Sequence, residues 1–141
     1  LLPGEGLVLF VDDEKPLVDV GREMLEGFGF TVVGRTSSVE ALEAFRYRPE
    51  AYDLVITDQA MPNMTGLELA REIFRIRPEV PVILCTGFSD TASIERARSL
   101  GIGDCVMKPI LKHHLIRSVG RLLGGEGAVR PAGEAGQDGS T

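Results

Sequence analysis

The chain has 141 residues, of which 43% are hydrophobic, and this length and composition suit one domain with its own core. Its net charge of -6 and sequence pI near 4.9 argue against a protein that binds nucleic acid or anionic membranes through a basic surface. No apolar run approaches the roughly 18 residues of a transmembrane helix, and no signal-peptide pattern opens the chain, so we expect a cytoplasmic protein without a membrane segment.

Five short apolar runs recur along the chain, with starts roughly two dozen residues apart. Their apolar residues are consecutive rather than alternating, as in parallel strands that are covered on both faces of a sheet. We therefore predict strands at residues 7–11, 31–34, 54–57, 82–86 and 105–107.

Helical signals fill the intervals between these strands. Pro16 suits a first helical turn, and Ser37 with Glu40 and Thr65 with Glu68 have the spacing of capping boxes. The predicted inward faces of the five helices, in order, are Leu17, Met24, Leu25 and Phe28; Val39, Leu42 and Phe45; Leu69, Ala70, Ile73 and Ile76; Ile94, Ala97 and Leu100; and Leu111, Leu115, Val119 and Leu122.

The alternation of five strands and five helices predicts an α/β domain with a doubly wound, five-stranded parallel sheet over residues 1–123. The helix at residues 91–100 has the weakest apolar face, and we expect it to be the most mobile element. Residues 124–141 contain six glycines and few apolar side chains, which predicts a disordered tail or linker.

Polar side chains stand where the predicted strands end. Asp12 and Asp13 follow the first strand, Asp58 the third and Lys108 the fifth, and Thr86 ends the fourth. Because ligands of open α/β sheets bind at the carboxyl ends of the strands, we expect these residues at one edge. Converging carboxylates repel each other, and a hard divalent cation, Mg²⁺ or Mn²⁺, relieves that repulsion. The pattern predicts a pocket for a metal ion and a phosphoryl group, with Asp58 as the nucleophile because it stands alone on a central strand.

Each of these residues also has an ordinary structural explanation. A strand-terminal Asp often forms a turn or caps a helix, Thr86 could be a cap, and Lys108 could be a solvated charge. Their joint placement makes coincidence the weaker explanation. Two other classes of protein are considered for this pattern. An aspartate-nucleophile phosphatase would place its two acids as D-x-D after the first strand, whereas this chain has Asp12, Asp13 and Glu14 there. A flavin-binding module would need a phosphate-binding loop at the same place, where these acids would repel the ligand.

Two cysteines and two histidines are assigned no chemistry. Cys85 and Cys105 are too few for a disulfide framework and lack metal-ligand spacing, which favours reduced core residues. His113 and His114 have no matching Cys, Asp or His nearby in the sequence, so we expect both on the surface.

Four motifs together resemble the receiver domains of response regulators in two-component signalling, over about residues 6–123. They are VDDE at residues 11–14, DLVITDQAMPNMTG at 53–66, ILCTG at 83–87 and MKP at 107–109. The resemblance implies a flavodoxin-like (CheY-like) fold with strand order 2-1-3-4-5. It also implies a protein that is not an enzyme in the usual sense, since it catalyses only its own phosphorylation and dephosphorylation.

The roles of the site residues follow from the same resemblance. It implies that Asp58 is the phosphoacceptor, that Asp12, Asp13, Asp58 and the Ala60 carbonyl hold Mg²⁺, and that Thr86 and Lys108 contact the phosphoryl oxygens. It further implies a cis Lys108–Pro109 bond.

The resemblance also names a class of partner. A sensor histidine kinase, in trans or in the same chain, would supply the phosphoryl group from a phosphohistidine, and ILCTGFSD at residues 83–90 is similar to receivers fused to hybrid sensor kinases. The domain itself would bind no nucleic acid and would switch protein–protein interactions. The alternative is a receiver-like module whose output binding is independent of phosphorylation.

Three positions bear on how such a domain would signal. Many receivers carry an aromatic residue three positions before the lysine, where this chain has Cys105, so we expect the loop at residues 87–90 and the fourth helix to carry the signal instead. Ala60 and Phe88 would flank the path of an attacking water without orienting it by hydrogen bonds, which predicts slow autodephosphorylation.

Overall fold

The structure is a computed structural model, and it describes residues 5–87 and 89–124. The strands are β1 Leu7–Val11, β2 Thr31–Arg35, β3 Leu54–Asp58, β4 Val82–Thr86 and β5 Asp104–Met107. The helices are α1 Lys15–Glu26, α2 Ser38–Tyr47, α3 Gly66–Ile76, α4 Thr91–Leu100 and α5 Lys112–Leu123, with a short 3₁₀ turn at Pro49–Ala51. Phe88 and, apart from Gly124, the predicted tail lie outside the described residues.

All five strands are parallel and lie in the order β2-β1-β3-β4-β5. This confirms the predicted doubly wound α/β class and the implied strand order. Val11 at the end of β1 pairs with Thr57 of β3, and Thr86 at the end of β4 pairs with Met107 of β5. The register therefore brings the residues that follow these strands to one edge of the sheet.

The sheet separates two apolar cores. On one face α2, α3 and α4 cover the strands, with Phe45, Ile73 and Ala97 among the buried residues. On the other face α1 and α5 do so, with Leu25 and Leu115 buried. Every residue of β3 and β4 is buried, which explains why these strands are apolar at consecutive positions.

The buried face of α1 differs from the prediction. Leu25 is buried as expected, but it is joined by Val18 and Gly21, whereas Leu17, Met24 and Phe28 are only half-buried. The physical reason is the ring of Phe10, which packs directly against the helix backbone: a Cβ atom at position 21 would lie 2.3 Å from Phe10 Cζ. A pattern of apolar side chains gives no weight to a glycine, so it does not identify a buried helix face that has a glycine at its centre.

The start of α2 was predicted correctly, but one of its inward residues was not. Ser37 caps the helix by accepting a hydrogen bond from the Glu40 backbone N–H at 3.2 Å, but among the described contacts Glu40 returns no side-chain bond, so only half of the predicted capping box forms. This start places Ser38 and Ala41 toward the core beside the predicted Leu42 and Phe45. Val39 is 44% exposed, because it lies about 100° around the helix from Ser38.

The remaining helices confirm most of the predicted residues. The Thr65–Glu68 capping box of α3 is present in both directions. In α4 the buried residues are Ala97 and Ser93, while Ile94 and Leu100 are half-buried. In α5 Leu115 and Val119 are buried, Leu122 is half-buried, and Leu111 precedes the helix and is 46% exposed, so its prediction was wrong.

Within residues 5–87 and 89–124, none of the helices combines the length and the apolar character that spanning a membrane requires.

Candidate functional site

Three carboxylates meet at the carboxyl edge of the sheet. Asp58 is the last residue of β3, and Asp12 and Asp13 directly follow β1, the neighbouring strand. Asp12, Asp13 and Asp58 each have an oxygen atom within 4.8 Å of the others. Asp12 and Asp58 are 2% and 5% exposed, whereas Asp13 is exposed. The sequence prediction that these acids come together is thus matched by the geometry.

Lys108 joins this cluster from the end of β5. Its Nζ lies 3.0 Å from Asp12 Oδ2 and 3.2 Å from Asp58 Oδ1 and donates hydrogen bonds to both. Its backbone N–H donates to the Thr86 carbonyl at 2.9 Å, and the Lys108–Pro109 bond is cis, as the resemblance implied. One ammonium group therefore bridges the two buried acids.

The electrostatics of Asp58 reflect its burial more than its lysine partner. Desolvation raises the pKa of Asp58, the charge of Asp12 raises it further, and Lys108 only partly offsets these effects. Burial alone would lower the pKa of Lys108, but the hydrogen bonds and charges of Asp12 and Asp58 raise it overall. The lysine is thus held as a cation, and it offsets only part of the repulsion between Asp58 and Asp12.

The donor set of this cluster fits a hard divalent cation. Carboxylate oxygens are the ligands that Mg²⁺ and Mn²⁺ prefer, and a charge of +2 would offset the repulsion from Asp12 that, after burial, raises the pKa of Asp58. Asp13, which is exposed beside two buried acids, leaves the cluster open to solvent on one side. Ala60, the fourth predicted ligand, lies exposed on the loop that follows Asp58.

Thr86 lies at the same edge, but its hydroxyl is engaged by a residue that the sequence reasoning did not place in the site. The side chain is 3% exposed, and its Oγ1 donates a hydrogen bond to Asp90 Oδ2 at 3.1 Å. Asp90 also caps α4. The spacing of an Asp three residues before Ser93 is a cap signal that could have identified it.

The loop after Asp58 is held by hydrogen bonds of the Gln59 main chain and of the Gln59 side chain. The Gln59 backbone N–H donates to the Cys85 carbonyl at 3.0 Å, and its own carbonyl accepts from the Gly66 N–H at 3.0 Å. Gln59 Oε1 accepts from the Leu67 N–H at 2.9 Å. These bonds fasten the N-terminus of α3 beside Asp58, and no sequence signal pointed to Gln59 in this role.

The residues expected outside the site lie there. His113 and His114 are exposed at the start of α5. Cys85 is buried in the core, as predicted, and burial raises the pKa of its thiol to about 12. Cys105 is free and half-buried, and it packs against the margin of the apolar cluster that contains Ala97, so the predicted core position holds only in part.

Comparisons with known proteins agree with this geometry. Residues 8–120 match the family described as response regulator receiver domain. The chain is 33% identical over 138 residues to the C4-dicarboxylate transport transcriptional regulatory protein DctD of Rhizobium meliloti, covering 94% of this chain and 30% of that protein. It is 38% identical over 125 residues to the virulence sensor protein BvgS of Bordetella pertussis, covering 81% of this chain and 10% of that protein.

Solved structures agree as well. A response regulator receiver domain protein from Clostridium thermocellum superposes with a TM-score of 0.81 at 30% identity, over 84% of this chain and 94% of that one. The present chain spans less than a third of the length of DctD and of BvgS, so the likeness to those two concerns one portion of each. The sequence match, the sheet topology and the superposition lead to one conclusion: the chain belongs to the response regulator receiver domain family of two-component signalling.

Proposed function

We propose that Asp58 accepts a phosphoryl group from a phosphohistidine of a sensor kinase in a reaction that depends on Mg²⁺. The observation that carries this proposal is the convergence of Asp12, Asp13, Asp58 and Lys108 at one edge of the sheet. Asp58 is the acceptor because it ends a central strand and because, among the described residues, only its Oδ1 accepts a hydrogen bond, from Lys108. Its second oxygen, Oδ2, is left to act as the nucleophile.

The transfer is a direct displacement at phosphorus. A carboxylate oxygen of Asp58 forms a bond to phosphorus as the P–N bond to the kinase histidine breaks. The electron pair of that bond stays on the imidazole nitrogen, which takes up a proton. The products are an acyl phosphate on Asp58 and a neutral histidine on the kinase.

The other residues of the cluster hold and neutralise the phosphoryl group. Lys108, fixed between Asp12 and Asp58, supplies a positive charge to the phosphoryl oxygens as negative charge spreads over them. Mg²⁺, when bound by Asp12, Asp13, Asp58 and the Ala60 carbonyl, would neutralise charge on the same oxygens, with Mn²⁺ as a substitute. Thr86 donates its hydroxyl hydrogen to a phosphoryl oxygen once the group is in place.

The product of this reaction is the phosphorylated protein itself, which acts as a signalling switch. The chain catalyses only the formation and the loss of its own acyl phosphate, and the phosphorylated form changes which protein surfaces it binds. The kinase acts in trans or lies in the same polypeptide, and the likeness to a portion of BvgS supports the second arrangement. Cytoplasmic residence and a domain boundary near residue 123 stay predictions from the sequence.

The test uses acetyl phosphate as the phosphoryl donor. The parent protein, incubated with acetyl phosphate and Mg²⁺, should gain the mass of one phosphoryl group, and the gain should be absent with EDTA. Asp58→Asn should remain unmodified, whereas Asp19→Asn, which removes an exposed acid from α1, should behave as the parent does. Equal modification of the parent and Asp58→Asn would refute the assignment, and binding of an output partner by Asp58→Asn under all conditions would favour a phosphorylation-independent module.

A further inference from the structure

The two carboxylate oxygens of Asp90 have different partners. Oδ2 accepts the hydrogen bond from Thr86 Oγ1 at 3.1 Å, and Oδ1 accepts one from the backbone N–H of Ser93 at 3.2 Å. The first partner ends β4, and the second lies in the first turn of α4. One side chain therefore connects the edge of the sheet that carries the acidic cluster to the N-terminus of a helix.

The Thr86 hydroxyl has a single hydrogen to donate. While that hydrogen is directed to Asp90, it is not available to a phosphoryl oxygen on Asp58. Asp90 competes for that hydrogen, because a carboxylate accepts a hydroxyl hydrogen bond more strongly than a neutral oxygen does. The hydrogen bonds from Ser93 and Thr86 in turn lower the pKa of Asp90.

Few buried side chains of the described residues hold the first turn of α4. Within the described part of the chain the only buried residues of this helix are Ser93 and Ala97, both small. The cap at Asp90 is thus a large share of what fixes the helix start.

We propose that Asp90 is a positioning residue that holds the Thr86 hydroxyl before phosphorylation and transmits its release to the N-terminus of α4. When Thr86 turns to a phosphoryl oxygen on Asp58, Asp90 loses one of its two hydrogen bonds and its side chain is free to reorient, which loosens the first turn of the helix. This inference rests on the proposed role of Asp58 as phosphoacceptor.

Asp90→Asn separates the two functions of this side chain. The amide keeps one oxygen, which can still cap α4 through Ser93, since Asn is as good a cap as Asp. The second position becomes an NH₂ group, which cannot accept the Thr86 hydrogen. Glu95→Gln is the matched control, because it removes a charge from an exposed position of the same helix.

The first measurement is the rate of phosphorylation by acetyl phosphate and Mg²⁺, followed by intact mass. Freed from Asp90, Thr86 no longer has to break a hydrogen bond, so Asp90→Asn should be phosphorylated roughly 2- to 10-fold faster than the parent. Glu95→Gln should react at the parent rate. A rate for Asp90→Asn equal to or below that of the parent would overturn the proposal.

The second measurement is hydrogen exchange at the Ser93 and Ile94 amides before and after phosphorylation, which a purely structural cap would not link to Asp58. Exchange should accelerate on phosphorylation in the parent and in Glu95→Gln, and should not respond in Asp90→Asn. An equal response in all three proteins would refute the relay.

Failure of the proposed function is distinguishable from failure of this inference. If the parent takes up no phosphoryl group, the role of Asp58 is wrong, and a double-mutant cycle on thermal unfolding decides the Thr86–Asp90 link alone. Thr86→Val and Asp90→Asn should then be non-additive, since both remove the same hydrogen bond. Additive losses would overturn the link.

Discussion

Replacing Gly66 with alanine tests how closely the N-terminus of α3 packs against the reactive carboxylate. A Cβ atom at position 66 would lie 2.2 Å from the main-chain carbonyl oxygen of Asp58 and 2.8 Å from Leu84 Cδ1. Ordinary contacts of a Cβ atom begin at 3.4 Å, so helix and strand would have to separate by about 1.2 Å. The closer obstacle is backbone, which cannot rotate away as a side chain can.

The cost of this separation falls on both stability and reactivity. Overpacking of a filled interior lowers the free energy of unfolding by about 1–3 kcal/mol. Displacement of a reacting group by about 1 Å slows a reaction on the order of 100-fold. We therefore expect Gly66→Ala to lose about 2 kcal/mol of stability and to be phosphorylated by acetyl phosphate on the order of 100-fold more slowly than the parent.

Urea unfolding and the time course of intact mass measure the two effects. Gly27→Ala is the control, because Gly27 also lies at a helix terminus, the C-terminus of α1, and has a helical φ of -62°. A Cβ atom at position 27 would lie no closer than 3.3 Å to its nearest neighbour, Glu23 O. It should change stability by less than about 1 kcal/mol and leave the rate unaltered. Parent-like stability and rate in Gly66→Ala would show that α3 moves away freely, and would refute the reasoning.

Three further predictions concern the acidic cluster and the cysteines. Because folding raises the pKa of Asp58, its ionisation opposes folding, so without metal Asp58→Asn should be more stable than the parent at pH 7. In urea titrations this gain should vanish as the pH falls below the ordinary carboxyl pKa of 3.8, and a gain constant with pH would contradict the assignment. Ala60→Asn should lose its acyl phosphate roughly 5-fold faster than the parent, because the Asn side chain adds one hydrogen bond to the attacking water. An unchanged half-life of the acyl phosphate, followed by intact mass, would argue against a role of position 60 in orienting this water. Iodoacetamide should alkylate the half-buried Cys105 well before the buried Cys85, whose pKa is raised to about 12, and peptide mass mapping that finds equal labelling would exclude the described burial.

The sequence predicted the sheet and the acidic cluster for a common reason. Strands covered on both faces must be apolar throughout, so their ends are visible as the points where charge begins, and parallel pairing brings those ends together. Asp12, Asp13, Asp58 and Lys108 could therefore be placed together before any coordinates. The caps of α2 and α3 were equally visible, because capping depends on residues three positions apart.

What the sequence did not predict depends on contacts between distant segments. The inward face of α1 is set by the Phe10 ring over Gly21, and a glycine carries no apolar signal. The hydrogen bond between Thr86 and Asp90 depends on where the loop returns to α4, which no periodicity encodes. Cys105 is half-buried whereas Val106, beside it on the edge strand β5, is buried, a difference that depends on what covers each face of the strand and not on residue type.

The division of the interior by the sheet has a mechanical consequence. Ala97 of α4 belongs to one apolar layer, whereas Leu25 of α1 and Leu115 of α5 belong to the other. The five-stranded sheet separates the two layers. A shift of α4 can repack its own side without disturbing the opposite one. Under the relay proposed above, the surface formed by α1 and α5 would therefore keep its shape while the surface formed by α4 changes.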